Sequence, residues 1–285
     1  SNKDFSIVLP CYNESKNLPI LVENIAKFWP KYNFELILVN NGSIDNSAEV
    51  LAKLEQKFSE FIKVITIEKN IGYGHGIYTG LSHADSEILA YSHADIQTPP
   101  EDIFKAFDIF KEKNDKNILV KGLRQNRRQE EMFLTNWLAK IVSFILGYKF
   151  EDINGQPKMF TKNFFNELKD YPKDFSFDVY IMYMAKRLGY KLETFPVDFG
   201  VRIHGESKWA NTIFSKYKTI FKYLFSINKL ALKNHQDEKN FYYQASRFLV
   251  TGIFTNIVNY LTFFIFYKFV GIYYIIASAL GFIAG

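Results

Sequence analysis

Short apolar runs alternate with amphipathic stretches through the first part of the chain, in a regular order. Phe5–Leu9 (Phe-Ser-Ile-Val-Leu), Glu35–Val39, Lys63–Ile67 and Glu87–Ser92 have the length and apolar content of buried strands. Leu18–Phe28, Ser47–Phe58, Ile77–His83 and Glu101–Lys113 carry apolar residues at helical spacing. Pro99-Pro100 ahead of the last of these suits a first helical turn. Strands separated by helices predict parallel βαβ units and an α/β fold. In such sheets ligands bind beyond the C-terminal strand ends. The unusual residues fall there: Pro10 to Glu14, Asn40 to Asp45, Asn70 to Gly76 and His93 to Gln97.

The pattern changes toward the C-terminus. Met132–Leu146 reads as an apolar helix. In Ile213–Leu232, Phe214, Tyr217, Phe221, Leu224 and Phe225 recur at helical spacing, with Lys216, Lys218, Lys222 and Lys229 between them. Such a basic amphipathic stretch either lies on an anionic membrane surface or packs on the domain; its place ahead of a long apolar run favours the membrane. That run, Phe248–Tyr267, has no charged residue and is long enough to span a bilayer as a helix. Phe269–Gly285 is a second apolar run. The expected plan is a catalytic domain over 3–210, an interfacial segment over 211–244 and part of a transmembrane region over 245–285, with more membrane region to follow. Lys and Arg flanking the first span predict an integral protein of the cytoplasmic membrane whose N-terminal domain is cytoplasmic. Asn256 and Asn259 within that span would face another helix, which leaves a homo-oligomer open.

Composition narrows the class. With 285 residues, 48% hydrophobic and 23% charged, the chain is neither disordered nor collagen-like. The single cysteine, Cys11, excludes an intrachain disulfide and reads as a small buried side chain. The net charge of +5 is mild and does not argue for nucleic acid. Arg202 to Lys239 holds eight Lys/Arg and three Asp/Glu, so this stretch equals the whole excess.

Candidate chemistry follows from the strand-end loops. There is no Gly-x-x-x-x-Gly-Lys-Ser/Thr loop. Gly72, Gly74, Gly76 and Gly80 either admit a ligand close to the backbone or only shape a turn. They do not follow the first strand, which argues against a dinucleotide fingerprint. His93 and Asp95 alternate along an expected strand end, with Gln97 next in register. One carboxylate, one amide oxygen and one imidazole could hold Mg²⁺ or Mn²⁺, diphosphate oxygens completing the shell. The competing reading is a capped turn before Pro99-Pro100. His75, His83 and His235 read as solvent or loop histidines.

Taken together, Ser6–Glu14 (Ser-Ile-Val-Leu-Pro-Cys-Tyr-Asn-Glu), Asn40-Asn41-Gly42-Ser43-Ile44-Asp45, Asn70-Ile71-Gly72 and His93–Glu101 resemble family 2 glycosyltransferases of the GT-A fold, a Rossmann-like, mixed and mostly parallel sheet flanked by helices. Arg202-Ile203-His204-Gly205-Glu206-Ser207-Lys208 is similar to the Arg-x-x-Gly-x-Ser-Lys motif of the dolichol-phosphate mannose synthase and bacterial polyprenyl-phosphate glycosyltransferase branch. Arg247–Gly285 resembles the start of a GtrA-like membrane domain.

The resemblance implies inverting transfer of a hexose or modified hexose from a UDP- or GDP-sugar to a polyprenyl phosphate of the undecaprenyl type, with Mg²⁺ or Mn²⁺. It assigns Pro10, Tyr12, Glu14, Asn40 and Gly72 to the nucleotide, and Asp95, Gln97 and His93 to metal and diphosphate. Arg124 and Arg202 would meet the sugar diphosphate or the acceptor phosphate. Ser207 and Lys208 would hold phosphate near the membrane. Asp178 would orient acceptor or sugar, or is simply a helix N-terminal carboxylate. A phosphate acceptor is already anionic, so no nucleophilic Ser-His or Cys-His pair is needed. Two other readings stay open: transfer to a hydroxyl on a glycan or lipid-linked sugar with Asp178 as base, and a degenerate binding protein. The sequence departs from the family at Asn40-Asn41 for Asp-Asp, at His93 for the first Asp of Asp-x-Asp, and at Asp152–Lys158 (Asp-Ile-Asn-Gly-Gln-Pro-Lys) for Asp-x-x-Ser-Gly-Phe-Arg.

Overall fold

The computed structural model describes residues 3–126, 129–200, 223–227, 229–230 and 274–284, with scattered positions between 248 and 268. The chain divides into two compact units, Ser1–Lys140 with Phe150–Ile227, and Ile141–Lys149 with Asn228–Gly285. The first holds a seven-stranded sheet in the order β3-β2-β1-β4-β6-β5-β7.

The expected alternation is present. β1 (Phe5–Cys11), β2 (Phe34–Asn41), β3 (Ile62–Ile67) and β4 (Ile88–Tyr91) are joined by α1 (Leu18–Ala26), α2 (Ser47–Lys57) and α3 (Tyr73–Ser82). β1 pairs in parallel with both β2 and β4, and β2 with β3. β2 is buried throughout, as befits a strand covered on both faces by helices. Phe5, Phe34, Phe104 and Phe107 meet beneath α4 (Glu101–Lys113), Phe5 and Phe107 stacking at 4.2 Å. Each such ring contributes about 1.5–3 kcal/mol by burial. α4 begins after Pro100, carries Glu101 and Asp102 in its first turn and Lys111 and Lys113 in its last, and ends on left-handed Asn114, which fits the helix dipole and its stop signals. Its limits equal the sequence expectation.

α3 starts at Tyr73, a turn ahead of the expected Ile77, because its glycines let it pack close. A Cβ on Gly74 would lie 2.4 Å from the Pro172 carbonyl oxygen, and one on Gly80 would lie 2.3 Å from Val8 Cγ1. The glycine run serves packing of α3 on β1, β2 and residues 172–177.

Beyond α4 the sheet is mixed. β5 (Ile118–Gln125) is followed by α5 (Gln129–Leu146), β6 (Lys158–Thr161), α6 (Lys162–Asn166), α7 (Phe177–Arg187) and β7 (Lys191–Asp198). β6 runs antiparallel between β4 and β5, and β7 is parallel to β5 at the edge. Strand order turns back between β1 and β4, with β2 on one side of β1 and β4 on the other, so the crevice at their C-terminal ends is the expected ligand position.

In the second unit, α8 (Tyr274–Ala284) is apolar. Among the described residues no helix is long and apolar enough to cross a membrane. Most of the expected span Phe248–Tyr267 and of the amphipathic stretch Ile213–Leu232 lies outside the described residues, as do Arg202, Ser207 and Lys208.

Candidate active site

The loops after β1 and β2 are tied to each other by short polar side chains. Asn13 N donates to Ser43 Oγ at 3.1 Å, and Ile44 N donates to Asn13 Oδ1 at 2.9 Å. Glu14 N donates to Ser47 Oγ, and Ser15 N to Asp45 Oδ2. Burial alone would raise the Asp45 pKa; the bonds it accepts from Ser47 and Ser15 outweigh it and hold the carboxyl below its ordinary range. Glu14 Oε2 accepts from Asn17 Nδ2 at 2.6 Å. Asn40 is buried and its Oδ1 accepts from Ser43 N. Asn41 Nδ2 donates to the Gly72 carbonyl at 3.1 Å, a bond an aspartate could not make. Gly72 itself has φ +144°, and a Cβ there would strike the Lys173 carbonyl oxygen at 2.2 Å. Pro10, Tyr12, Glu14, Asn40 and Gly72 therefore line one connected rim at the ends of β1 to β3.

The loop after β4 corrects one expectation. β4 ends at Tyr91, and His93 to Gln97 form a bend with Ile96 at φ +61°, not a strand end with alternating side chains. Asp95 Oδ1 accepts from Gln97 N, and Gln97 Nε2 donates to the Gly200 carbonyl at 3.3 Å. Pro99 and Pro100 then open α4, so the capped turn is present, and Asp95 sits in it nearly buried. His93 Nδ1 lies 3.4 Å from the Tyr73 hydroxyl. Burial lowers the His93 pKa, against the opposing pull of Asp95 and Asp178. Among the described residues no group of three or more His, Cys, Asp or Glu side chains could hold a metal by itself.

Beside this loop lies a buried cluster of charges. Asp178, in the first turn of α7, accepts on Oδ1 from Lys158 Nζ at 2.5 Å, Tyr91 OH at 2.8 Å and Gln156 Nε2 at 2.9 Å. Both partners of the Lys158–Asp178 pair are almost fully buried. Burial lowers the Lys158 pKa, although Asp178 pulls the other way. Asp152 receives Arg124 three times: from its backbone N at 2.7 Å, from Nε at 2.8 Å, and from its terminal guanidinium nitrogen. Burial alone would raise the Asp152 pKa; the Arg124 guanidinium outweighs it and holds the carboxyl below its usual range. Lys121 Nζ donates to the Glu151 and Asp152 carbonyls, and burial, followed by the nearby Lys158 charge, pushes its ammonium down to about 7. The backbones of β5 and the 152–158 loop nearly touch: a Cβ on Gly122 would stand 2.1 Å from the Gln156 carbonyl oxygen.

The structure thus brings Asp95, Gln97, His93, Arg124 and Asp178 to one end of the sheet, next to the rim formed by the loops after β1 to β3. Tyr73, Tyr91, Lys121, Gln156 and Lys158 are polar members that composition and spacing did not single out. Burial first, then the charge of Asp178, raises the pKa of both Tyr73 and Tyr91 well above the ordinary phenol value, so both remain protonated donors. Lys158 had one legible signal: a lysine set directly against the apolar Met159-Phe160. Cys11 is buried as expected, its thiol on the Leu9 carbonyl. Among the other histidines, His83 is exposed and half-buried His75 pairs with Tyr171 OH at 3.1 Å.

A mixed seven-stranded sheet with its crevice at the β1–β4 switch point is the GT-A architecture. Glucosyl-3-phosphoglycerate synthase from Mycobacterium tuberculosis, solved with Mn²⁺, UDP and glucosyl-3-phosphoglycerate, shares it at TM-score 0.59 with 16% identity over 80% of each chain. A mycobacterial protein of solved structure shares it at TM-score 0.61, with 18% identity over 80% of this chain and 75% of the other. The family model described as glycosyl transferase family 2 matches residues 6–169, more than half of the chain, and the chain belongs to that family. Among curated proteins it is similar to the undecaprenyl-phosphate 4-deoxy-4-formamido-L-arabinose transferases of Salmonella choleraesuis (strain SC-B67) and Salmonella paratyphi B (strain ATCC BAA-1250 / SPB7). Each is 31% identical over 151 residues, which are 50% of this chain and 43% of the relative. The match thus spans less than half the length of these relatives.

Proposed function

We propose that this protein transfers a hexose or modified hexose from a UDP- or GDP-linked donor to a polyprenyl phosphate of the undecaprenyl type, inverting the anomeric centre, at the cytoplasmic face of a membrane. The observation that carries this reading is the engagement of Asp178. Three donors occupy its Oδ1, one of them the buried ammonium of Lys158. That oxygen has no lone pair left to take the proton of an acceptor hydroxyl. A phosphate acceptor needs no general base, because it arrives ionised. Its oxygen attacks the sugar C1, the bond from C1 to the diphosphate oxygen breaks, and the electron pair leaves with the nucleoside diphosphate. The relatives named above, undecaprenyl-phosphate 4-deoxy-4-formamido-L-arabinose transferases, support the same choice.

In this reading Pro10, Tyr12, Glu14, Asn40 and Gly72 hold the nucleotide. Asp95 is the protein carboxylate for Mg²⁺ or Mn²⁺, with Gln97 and His93 beside it. The donor set fits a cation that takes most of its oxygens from substrate phosphates. Such a cation would stabilise the charge gathering on the leaving diphosphate. Arg124 reaches a phosphate by sharing its guanidinium with Asp152. Arg202, Ser207 and Lys208 would complete the acceptor-phosphate site. Residues 211–244 would lie on the membrane surface, and 245–285 would anchor the chain as the start of a GtrA-like domain.

The test incubates reconstituted protein with undecaprenyl phosphate, Mg²⁺ or Mn²⁺ and a panel of UDP- and GDP-sugars, with the lipid analysed by mass spectrometry. A glycosyl-phospholipid is expected with one donor and is expected to vanish in Asp95→Ala. Nucleotide release that needs a hydroxyl acceptor instead would overturn the reading.

A further inference from the structure

An aromatic path leads from the surface of the first unit into this site, and the function just proposed does not use it. Phe175, just ahead of α7, is 45% exposed and stacks on Tyr73 with ring centroids 5.2 Å apart. Tyr73 lies against His93, at 5.5 Å between rings, and His93 is two residues from Asp95. Outward, Ser176 Oγ bonds Ser226 Oγ at 2.8 Å, which fixes the helical stretch 223–227 beside Phe175. That stretch buries Tyr223 and Ile227 and leaves Phe225 65% exposed. The contact of Gly72 with Lys173 brings exposed Ile71 to the same rim. Among the described residues the buried Tyr223 hydroxyl has no hydrogen-bond partner, and it lies within electrostatic reach of Asp178 and Asp174.

The two ends of this path differ in chemistry. The outer end is hydrocarbon: Ile71, Phe175 and Phe225. The inner end, at His93, is polar and of mixed charge: Asp95 and Asp178 are the charges that act on the ring most strongly, and Lys158 and Arg124, themselves paired with Asp178 and Asp152, lie within electrostatic reach as well. An occupant that matches both ends is an amphiphile, hydrocarbon outside and a polar head within, and the acceptor proposed above, a polyprenyl phosphate, is one. A soluble acceptor would leave the aromatic end unused, and a protein surface would not follow the path inward to a charged end.

Building on the proposed transfer to a polyprenyl phosphate, we propose that the first isoprene units of the acceptor lie on Phe175 and Tyr73 and leave past Phe225 and Ile71, with the phosphate toward His93. Phe175 and Phe225 are then specificity determinants for the lipid, and they carry no part of donor binding.

The experiment uses the full chain in proteoliposomes. The photoreactive residue p-benzoylphenylalanine replaces Phe175, Phe225 or, as a control, Trp137, which is exposed elsewhere on the unit. After irradiation with undecaprenyl phosphate and no donor, adducts are identified by mass spectrometry. In parallel, Phe175→Ala, Phe175→Leu and Trp137→Ala are assayed for transfer. The expected result is a polyprenyl adduct at 175 and 225 but not at 137. Phe175→Ala should raise KM for undecaprenyl phosphate by roughly tenfold, as loss of an apolar contact of this size predicts. Its donor KM should be unchanged, and Phe175→Leu should recover most of the loss.

Adducts to bulk phospholipid at all three positions would overturn the proposal in favour of general membrane contact. A cross-link between two copies through 175 would overturn it in favour of a dimer face. An active protein with an unaltered KM in Phe175→Ala would overturn it while leaving the transfer reading intact. A wild-type protein that transfers to no polyprenyl phosphate would overturn the transfer reading itself, and this proposal with it.

Discussion

The two halves of the sheet use their interiors differently. In β1 and β2 nearly every side chain is buried, and apart from Ser6, Glu35 and the asparagines at the strand end the buried set is apolar. Across β5 and β6 the interior holds Lys121 and Lys158, 1% and 0% exposed, together with Asp152, Asp178 and Gln156. The first half is held by hydrocarbon, and its polar groups are confined to loops at the strand ends. The second half also buries hydrocarbon, Ile118, Leu119, Val120, Met159 and Phe160, and adds to it ion pairs and hydrogen bonds to charged groups. Polar residues near the crevice therefore mean different things on the two sides. On the β1–β4 side they bond within the strand-end loops, largely to backbone groups; on the β5–β7 side charged side chains pair with one another in the interior.

The largest expected effect breaks this second interior. Asp178→Ala leaves the Lys158 ammonium buried without its partner. Removing one member of a buried pair costs about 3–5 kcal/mol, a large share of the roughly 5–15 kcal/mol that holds a domain together. Chemical denaturation of the variant should show it, and Asp178→Ala paired with Lys158→Met should recover part of the loss. Asp178→Asn keeps an acceptor for Tyr91 and should lose less stability. If Asp178→Asn kept its stability yet lost all transfer, Asp178 would be the base after all.

The matching change on the other side is Asp95→Ala. It should lower the unfolding midpoint less than Asp178→Ala does, because the Asp95 carboxyl bonds the Gln97 N within its own turn, whereas Asp178 holds a fully buried ammonium. Transfer should fall by about 10²–10³, the scale of removing one preorganised electrostatic contact to a developing charge. Equal losses of stability in Asp95→Ala and Asp178→Ala would erase the contrast between the halves.

A smaller effect concerns pH. Lys121 titrates near 7 in the fold against 10.5 for an ordinary lysine, chiefly because it is buried. Its folded pKa lies below the unfolded one, so between those values the unfolded chain binds more protons. Stability should therefore rise with pH from about 7 toward 10, by at most about 1.4 kcal/mol per pH unit from this group. Lys121→Met removes that slope, and also two bonds to the Glu151 and Asp152 carbonyls. Denaturation midpoints of both proteins at several pH values would test it through the difference in slope; parallel curves would place the Lys121 pKa elsewhere.

These differences follow what was legible in the sequence. Runs such as Glu35–Val39 announce a strand because a doubly covered strand must be apolar on both faces. The loops at their ends stood out because asparagines, glycines and a proline interrupt those runs. β6 has four residues, one of them a buried lysine, and β7 is an edge strand that alternates buried Phe195 and Val197 with exposed Thr194, Pro196 and Asp198 only in its second half. Neither carries a periodic signal strong enough to stand alone. Asp178 was visible as a carboxylate near a helix start, but its partners Tyr91, Gln156 and Lys158 come from elsewhere in the chain and meet only through the antiparallel insertion of β6. The glycines of α3 gave the converse case. Their spacing allowed a ligand cradle, and only the contacts of Gly74 and Gly80 show that they serve packing.

The smallest effect is the most pointed, because it restores a charge that the resemblance leads one to expect. Asn41→Asp replaces the group that donates to the Gly72 carbonyl with one that cannot donate when ionised. The loss of one such bond is worth about 0.5–1.5 kcal/mol. The new carboxylate would also face that carbonyl oxygen from a site only 3% exposed. The loop at Asn70 to Gly72 should loosen, and with it the rim where the nucleotide is proposed to sit. A modest fall in stability and a rise in donor KM are expected, with the KM for lipid acceptor unchanged. Hydrogen exchange at residues 70–74 should report the loosening directly. A destabilisation as large as that of Asp178→Ala would mean that the asparagines are as deeply committed to the fold as the buried ion pairs, and the division between a rim bonded within its loops and an ion-paired interior would not hold.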